Sequence, residues 1–205
     1  MPEPISASSV SSSRTPKVDF TSEHGVASLY YLAYGSNLHP LRLMERVPSA
    51  RVVDVTELRG KTVTFHKRSI DRSGKCNLTD RNTDCSYGVL YEFSADERSA
   101  LDAAEGLGKG YREALLQFTC RGQNYNPFVY IAESQFIDPT LKPYHWYRDM
   151  VIAGARHHRF PASYLARLEA VDSIPDPDPN RAAQNVQILV QLNEYSAVVP
   201  AALSP

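Results

Sequence analysis

The chain alternates between short apolar runs and polar turns over most of its length, which is typical of strands joined by loops. In "TVTFH" at 62–66 and "YGVLYEF" at 87–93, bulky side chains recur with a period of two, as the half-buried face of a strand requires. On this basis strands are predicted over six segments, 29–33, 51–58, 61–66, 87–93, 114–120 and 127–133.

Helical patterns lie between and after these strands. In "SADERSALDAAEG", Ser94 and Glu97 match a capping box, and Gly106 is a suitable C-terminal cap. Three further helices are predicted over 41–46, 146–155 and 161–171, two of them with a proline at or next to the first turn. Clustered strands with a few helices predict an α+β fold, a small mixed β-barrel-like sheet with flanking helices.

The two ends of the chain differ from this pattern. Residues 1–27 are rich in serine, proline and charge and lack periodicity, so they are predicted to be a disordered tail. The predicted catalytic domain covers 28–172, and 173–205 form a C-terminal extension. This extension opens with "PDPDPN", which cannot continue a helix, and then offers one apolar run, 186–192, predicted as an edge strand.

Composition narrows the class of protein. The 205 residues are 42% hydrophobic and 22% charged with a net charge of −1, so no strong field favours nucleic acid or an anionic membrane. No run approaches the roughly 18 apolar residues of a membrane span. The N-terminus does not resemble a secretory signal, and three unpatterned cysteines favour a reducing compartment. We therefore expect a cytoplasmic protein.

The first candidate site is the turn Tyr34-Gly35-Ser36-Asn37, which follows the first strand and precedes a helix. Gly35 permits a positive φ, and successive amides ahead of a helix form a concave set of donors suited to a carboxylate. From these four residues alone, an ordinary strand-to-helix turn capped by Asn37 is the favoured interpretation.

The second candidate is Glu105, which closes the helix in "LDAAEGLGKGY". The negative end of the helix dipole and partial burial are expected to raise the pKa of this carboxyl, as a general base near neutral pH requires. Asp102, one turn earlier, is expected to be helix surface. From the residues alone, a solvated surface position remains the favoured interpretation for Glu105 as well.

Other patterns are too weak to assign chemistry. "GLGKG" lacks the spacing of a phosphate-binding loop. His145, His157 and His158 match no zinc-ligand spacing, and the three cysteines lie in no motif of a catalytic thiol.

Three separated motifs together resemble the γ-glutamylcyclotransferases. They are "YLAYGSNL" at 31–38, "LDAAEG…GY" at 101–111 and "YRDMVIAGARHHRFPASYLARLEAV" at 147–171. The resemblance extends over roughly 29–172, and the conjunction of the Y-G-S-N turn with the L-D-x-x-E-G helix is its most specific part.

This resemblance implies a barrel-like α+β fold with an internal pocket and a reaction that needs neither cofactor nor metal. The α-amine of a γ-glutamyl compound attacks its own γ-carbonyl, forms 5-oxoproline and releases the amine on the far side. Glu105 matches the catalytic glutamate. The substrate-binding positions that match are Tyr34, Gly35, Ser36, Asn37 and Tyr147. The implied partner is a small γ-glutamyl substrate, without nucleic acid or membrane, and a homodimer is possible within the family.

Several alternatives stay open. Relatives that act on glutathione or on γ-glutamyl-lysine carry other residues in the turn, so Asn37 favours γ-glutamyl amino acids as substrates. A departure from the family lies at 156–160, "RHHRF", which is more basic and bulkier than usual and, if it lines the pocket mouth, favours a leaving amine with a carboxylate. The alternatives are a γ-glutamylamine cyclotransferase of a biosynthetic pathway, a catalytically silent γ-glutamyl-binding module and a structural interaction protein.

Overall fold

A computed structural model of the chain describes residues 27–195. The predicted tail at 1–27 therefore lies outside the described residues, except for its last position. Two packed layers, a sheet and a group of helices, enclose the core. Within residues 27–195, no helix is both long and apolar enough to cross a bilayer.

Seven strands form a five-stranded mixed sheet and a separate two-stranded ribbon. In the sheet the order is β2-β3-β1-β7-β4, and only the β1–β7 pair is parallel. The ribbon consists of β5 and β6. The strands are β1 Ser28–Ala33, β2 Arg51–Arg68, β3 Gly74–Ser94, β4 Tyr111–Leu115, β5 Phe118–Cys120, β6 Gln123–Tyr125 and β7 Phe128–Ala132.

Five α-helices flank the sheet. The longest two pack against each other and form a small core of their own around Met150 and Leu192. The helices are α1 Pro40–Met44, α2 Arg98–Glu105, α3 His145–His157, α4 Ala162–Glu169 and α5 Pro179–Glu194. The predicted fold class, α+β with a mixed sheet and flanking helices, is confirmed, although in the described part of the chain β2 and β4 are free edges and the sheet does not close into a barrel.

The strand predictions were right in type but wrong in several boundaries. The two strands predicted at 51–58 and 61–66 are one bent strand, in which Gly60 has φ 72° and marks a shift in register. The single strand predicted at 114–120 is wrong, because the chain leaves the sheet after Leu115 and pairs again only in the ribbon. The alternation of apolar and polar residues does not show at which residue a strand changes its pairing partner.

The capping-box prediction is also wrong. A 3₁₀ turn, Ala95–Glu97, moves the start of α2 to Arg98, and neither Ser94 nor Glu97 caps the helix with its side chain. The Glu97 carboxylate instead accepts hydrogen bonds from the amide and hydroxyl of Ser49. The predicted cap at the other end is confirmed, since Gly106 adopts the left-handed conformation with φ 71°.

The edge strand predicted at 186–192 is wrong, because these residues belong to α5. The proline-rich segment starts the helix instead of preventing it. Pro179 occupies the first turn, and the Asp178 carboxylate accepts from the amides of Asn180 and Arg181. α5 packs its apolar side against α3, while the domain boundary at residue 172 stays a prediction.

Candidate active site

The turn after β1 brings backbone donors to the site. Ser36–Leu38 form one 3₁₀ turn, and the amides of Ser36 and Asn37 donate to no acceptor within residues 27–195. Gly35 has φ −123°, so the expected positive φ is not used. Glycine instead allows close approach, because an added Cβ would lie 3.0 Å from Cβ of Cys76.

The turn is not capped as the simplest interpretation predicted. Asn37 is buried, and its Nδ2 donates to Glu105 Oε1 over 2.8 Å and to the Tyr31 hydroxyl over 3.2 Å. His39 caps α1 in its place, since its Nδ1 accepts from the Leu41 amide. The Asn37 side chain therefore connects the turn to the end of α2.

Glu105 is anchored through one carboxylate oxygen. Its Oε1 accepts from Asn37 Nδ2 and, over 2.5 Å, from Arg46 Nη1. Its Oε2 takes part in no hydrogen bond among the described residues. The positive charge of Arg46 stabilises the ionised carboxylate, and the two bonds to one oxygen leave the other available to a proton on a bound molecule.

Two adjoining cavities meet at this carboxylate. The inner cavity has a volume of about 20 Å³, which admits only a small group. The outer cavity has about 460 Å³, enough for a small metabolite. The residues that line both cavities are Ser36, Glu105, Tyr111 and Tyr147.

All six residues assigned from the resemblance line the inner cavity. These are Tyr34, Gly35, Ser36, Asn37, Glu105 and Tyr147. Their segments are far apart in sequence, and the fold brings them together because β1, the end of α2 and the start of α3 converge there. The Tyr34 hydroxyl donates to the carbonyl of Tyr130, so this side chain forms a fixed wall of the inner cavity.

Two tyrosine hydroxyls are held by the backbone of Cys76. The Tyr147 hydroxyl accepts from the Cys76 amide over 3.1 Å, which leaves its own proton free to donate into the cavity. The Tyr111 hydroxyl donates to the Cys76 carbonyl over 2.5 Å. Burial raises the pKa of both phenols well above 10, so both stay protonated donors at neutral pH.

The Cys76 side chain is buried beside the same tyrosines. Burial raises the pKa of its thiol to about 12. A thiol with such a pKa is protonated at neutral pH and is a poor nucleophile.

Asp102 is not the free helix surface that the sequence predicted. Its Oδ1 accepts from the Tyr130 hydroxyl over 2.6 Å and from Arg98 Nε over 2.7 Å. Tyr130 also lines the inner cavity. Asp102 therefore holds a wall residue in place and lies outside both cavities.

The basic segment 156–160 lines neither cavity, so its expected place at the pocket mouth is wrong and it gives no support to the specificity predicted from it. Arg156 is exposed and pairs with Glu169. The His157 ring packs against His39 and His158, and Phe160 lies in the core against Tyr164. Of the three histidines considered for zinc, His145 lies elsewhere, bonded to Ser173.

A larger cleft, of about 720 Å³, lies elsewhere on the molecule between β2, residues 139–143 and α4. It is open and contains none of the residues assigned from the resemblance. Size alone would favour this cleft, but the smaller pair of cavities combines converging donors with a carboxylate whose side chain is only 16% exposed.

Sequence reasoning missed Arg46 and Lys67. Arg46 lies in the turn after α1, nine residues beyond Asn37, and its pairing with Glu105 depends on how the fold places the end of α2. Lys67 could have been found, because the alternation through Val63 and Phe65 continues to it and places it on the buried face of β2.

Comparisons with known proteins agree with this fold. The sequence model of the AIG2-like family matches residues 86–168. Bovine γ-glutamylcyclotransferase is 23% identical over 181 residues, which cover 86% of this chain and 94% of the bovine protein. The γ-glutamyl cyclotransferase aclK of Aspergillus oryzae is 29% identical over 167 residues, 68% of this chain but only 60% of the fungal protein.

A solved structure named γ-glutamyl cyclotransferase superposes with a TM-score of 0.69 at 22% identity, covering 80% of this chain and 99% of that one. The resemblance predicted from three motifs is therefore confirmed. The chain is similar to γ-glutamylcyclotransferases and has their fold, and these similarities point to an enzyme of that type.

Proposed function

We propose that this protein converts γ-glutamyl amino acids into 5-oxoproline and the free amino acid, with Glu105 as the general base and acid. The observation behind this proposal is the position of Glu105 Oε2. This oxygen has no protein partner among the described residues, and Glu105 lines a cavity together with the turn and Tyr147.

The glutamyl end of the substrate would lie where the two cavities meet, with its α-carboxylate at the small inner cavity. Its α-carboxylate would accept from the free amides of Ser36 and Asn37. This position would bring the neighbouring α-ammonium towards Glu105, because only one carbon separates the two groups in the substrate. The γ-amide would then extend towards the outer cavity.

Glu105 Oε2 would first take a proton from the α-ammonium, which cannot attack while it is protonated. The freed amine would attack the γ-carbonyl carbon to form a tetrahedral intermediate. The C–N bond to the leaving amine would then break as Glu105 returns the proton to it. The ring nitrogen would give up its second proton through the same carboxylate to the departing amine, which leaves as an ammonium. No water is consumed, and Glu105 ends in its starting form.

Tyr147 would stabilise the oxyanion of the intermediate. Its hydroxyl accepts from Cys76 and keeps a proton to donate, and burial raises its pKa so that the proton is retained. Ring closure is intramolecular, so the site mainly has to fold the substrate into a reactive conformation. Fixed walls such as Tyr34 suit this task.

The reaction class is tested by incubating the purified protein with γ-glutamyl-alanine and following 5-oxoproline, alanine and glutamate. Cyclisation predicts equal amounts of 5-oxoproline and alanine without glutamate. Release of glutamate would instead show hydrolysis, and the absence of any product from this substrate would contradict the proposal. γ-Glutamyl-ethylamide in parallel would reveal an enzyme specific for γ-glutamyl amines.

A further inference from the structure

The outer cavity contains a lysine whose charge has no carboxylate partner among residues 27–195. Lys67 is only 7% exposed, lies near the end of β2 and lines the outer cavity. Its Nζ lies 4.4 Å from the centre of the Tyr111 ring. Among residues 27–195 no carboxylate lies within ion-pair distance of this nitrogen, and no hydrogen bond uses it.

The other cations that line the outer cavity are all paired. Each has a carboxylate partner within 2.8 Å. The pairs are Arg42 with Glu45, Arg46 with Glu105, Lys75 with Asp71 and Arg181 with Asp176. Lys67 therefore supplies the single unneutralised positive charge of this cavity.

Lys67 lines the cavity, and its surroundings compensate its charge only in part. Burial lowers the pKa of its amino group, while the more distant carboxylates of Glu105, Asp71 and Glu133 raise it. Gly110 leaves room for the end of the side chain, because a Cβ there would lie 3.0 Å from Lys67 Nζ. An unpaired buried ammonium is costly unless a ligand compensates it.

We propose that Lys67 is a specificity-determining residue that binds a carboxylate on the leaving amine of the substrate. The inference rests on the proposed function, in which the α-carboxylate of the glutamyl end lies at the inner cavity and the leaving group lies in the outer one. One free cation matches one carboxylate, so the preferred leaving group is monoanionic. A neutral or cationic amine would leave Lys67 uncompensated.

The test compares two substrates of nearly equal shape, γ-glutamyl-alanine and γ-glutamyl-alaninamide, which differ in the charge of the leaving group. We expect Lys67→Met to lower kcat/KM for the first by about tenfold, the usual size for loss of a hydrogen bond to a charged group, and to leave the second nearly unchanged. The readout is the ratio of the two values, which does not depend on the folded fraction of a preparation.

Lys109→Met is the matched control. Lys109 lies in the neighbouring turn, is exposed and lines neither cavity, yet its replacement removes the same charge. The ratio should stay at its wild-type value in this variant, and Lys67→Gln should repeat the effect of Lys67→Met.

Two results would overturn the inference while the proposed function stands. If Lys67→Met lowers kcat/KM equally for both substrates, Lys67 acts on the glutamyl end or on the structure. If neither value of kcat/KM changes, Lys67 does not contribute to substrate recognition. If the wild-type protein releases no 5-oxoproline from either substrate, the proposed function itself fails, and the inference fails with it.

Discussion

Two buried polar regions lie on opposite sides of one short turn. Asn37 points into the inner cavity and reaches Glu105, whereas His39, two residues later, points away into a histidine cluster formed by His39, His157 and His158. Both regions contain titratable groups that are largely removed from water. The two regions differ in the partners that these groups contact.

In the inner cavity, charges are retained and some groups remain unpaired. Glu105 keeps one free oxygen, and Tyr147 keeps a proton to donate. In the histidine cluster, the rings pack on each other with centres 4.5 and 4.8 Å apart, and His158 Nε2 donates to the Leu38 carbonyl. Burial lowers the pKa of His39 and of His158 to about 4, so both are neutral at pH 7.

This difference separates a candidate site from a structural core more reliably than residue type. The histidines attract attention in the sequence, yet they are neutral and serve packing. The carboxylate could pass for helix surface in the sequence, yet it pairs with Arg46 and has an unused oxygen. Polar groups left without partners beside a cavity indicate function, whereas neutral rings packed on each other away from both cavities indicate stability.

The largest expected effect comes from a change that disturbs both regions at once. Gly154 of α3 lies against the turn, and an added Cβ would be 2.5 Å from Leu38 Cβ and 2.8 Å from the His39 amide nitrogen. We expect Gly154→Ala to lower the free energy of unfolding by about 3 kcal/mol, because backbone must move. Chemical denaturation measures this.

The folded fraction of the same variant should also lose turnover. The turn carries the Ser36 and Asn37 amides, and its displacement would move these donors away from the substrate. Ala153→Gly, at the neighbouring position, is the control for a general change in helix propensity, with an expected cost of about 1 kcal/mol. If Gly154→Ala keeps both wild-type stability and wild-type turnover, the close packing of the turn against α3 is required for neither.

The second effect is confined to the cavity side. Ser36→Pro removes one amide donor while fitting the first position of the 3₁₀ turn, where proline is tolerated. We expect KM for γ-glutamyl-alanine to rise about tenfold, as expected for a lost hydrogen bond to a carboxylate. Ser36→Ala keeps the amide and should behave like the wild type. Equal KM values for the two variants would show that this amide does not bind the substrate.

The third effect is confined to the histidine cluster and depends on pH. The pKa of His39 is about 4 in the folded chain against an ordinary value of 6.5, so between these values the unfolded chain binds a proton that the folded chain does not. Stability should therefore be full above pH 6.5 and fall as pH drops towards 4. We expect roughly 2 kcal/mol of the loss between pH 7 and pH 5 to come from His39.

Urea unfolding at pH 7 and pH 5 measures the dependence. His39→Asn keeps a side-chain acceptor at the start of α1 but does not titrate in this range, so its pH dependence should be weaker. If His39→Asn loses as much stability between pH 7 and pH 5 as the wild type does, His39 does not contribute to the pH dependence of stability.

The sequence predicted those site residues that lie in short local motifs. The turn at 34–37, Glu105 and Tyr147 were named from the motifs, and the structure places all of them around one cavity. The partners of these residues were not predicted. Arg46 acquires its role only when the turn after α1 meets the end of α2, which no local pattern indicates. The alternation of β2 indicates that Lys67 is buried, but not that it lines a cavity.

The error at the C-terminal end has a different cause. The run at 186–192 contains residues that suit a strand, and the prolines before it suggested a break. The deciding features were also local, since an aspartate followed by proline is a common helix start. Packing against α3 then stabilises the helix, and α5 contributes Arg181 to the outer cavity. A segment set aside as an extension thus reaches the candidate site.

The central claim is that Glu105 performs the proton transfers, and Glu105→Gln tests it most directly. Glutamine keeps the size of the side chain and removes the base. We expect turnover of γ-glutamyl-alanine to fall by at least about a hundredfold. Binding of the substrate, measured by calorimetry, and the melting temperature should change little. Turnover equal to that of the wild type in a folded, substrate-binding variant would contradict the account.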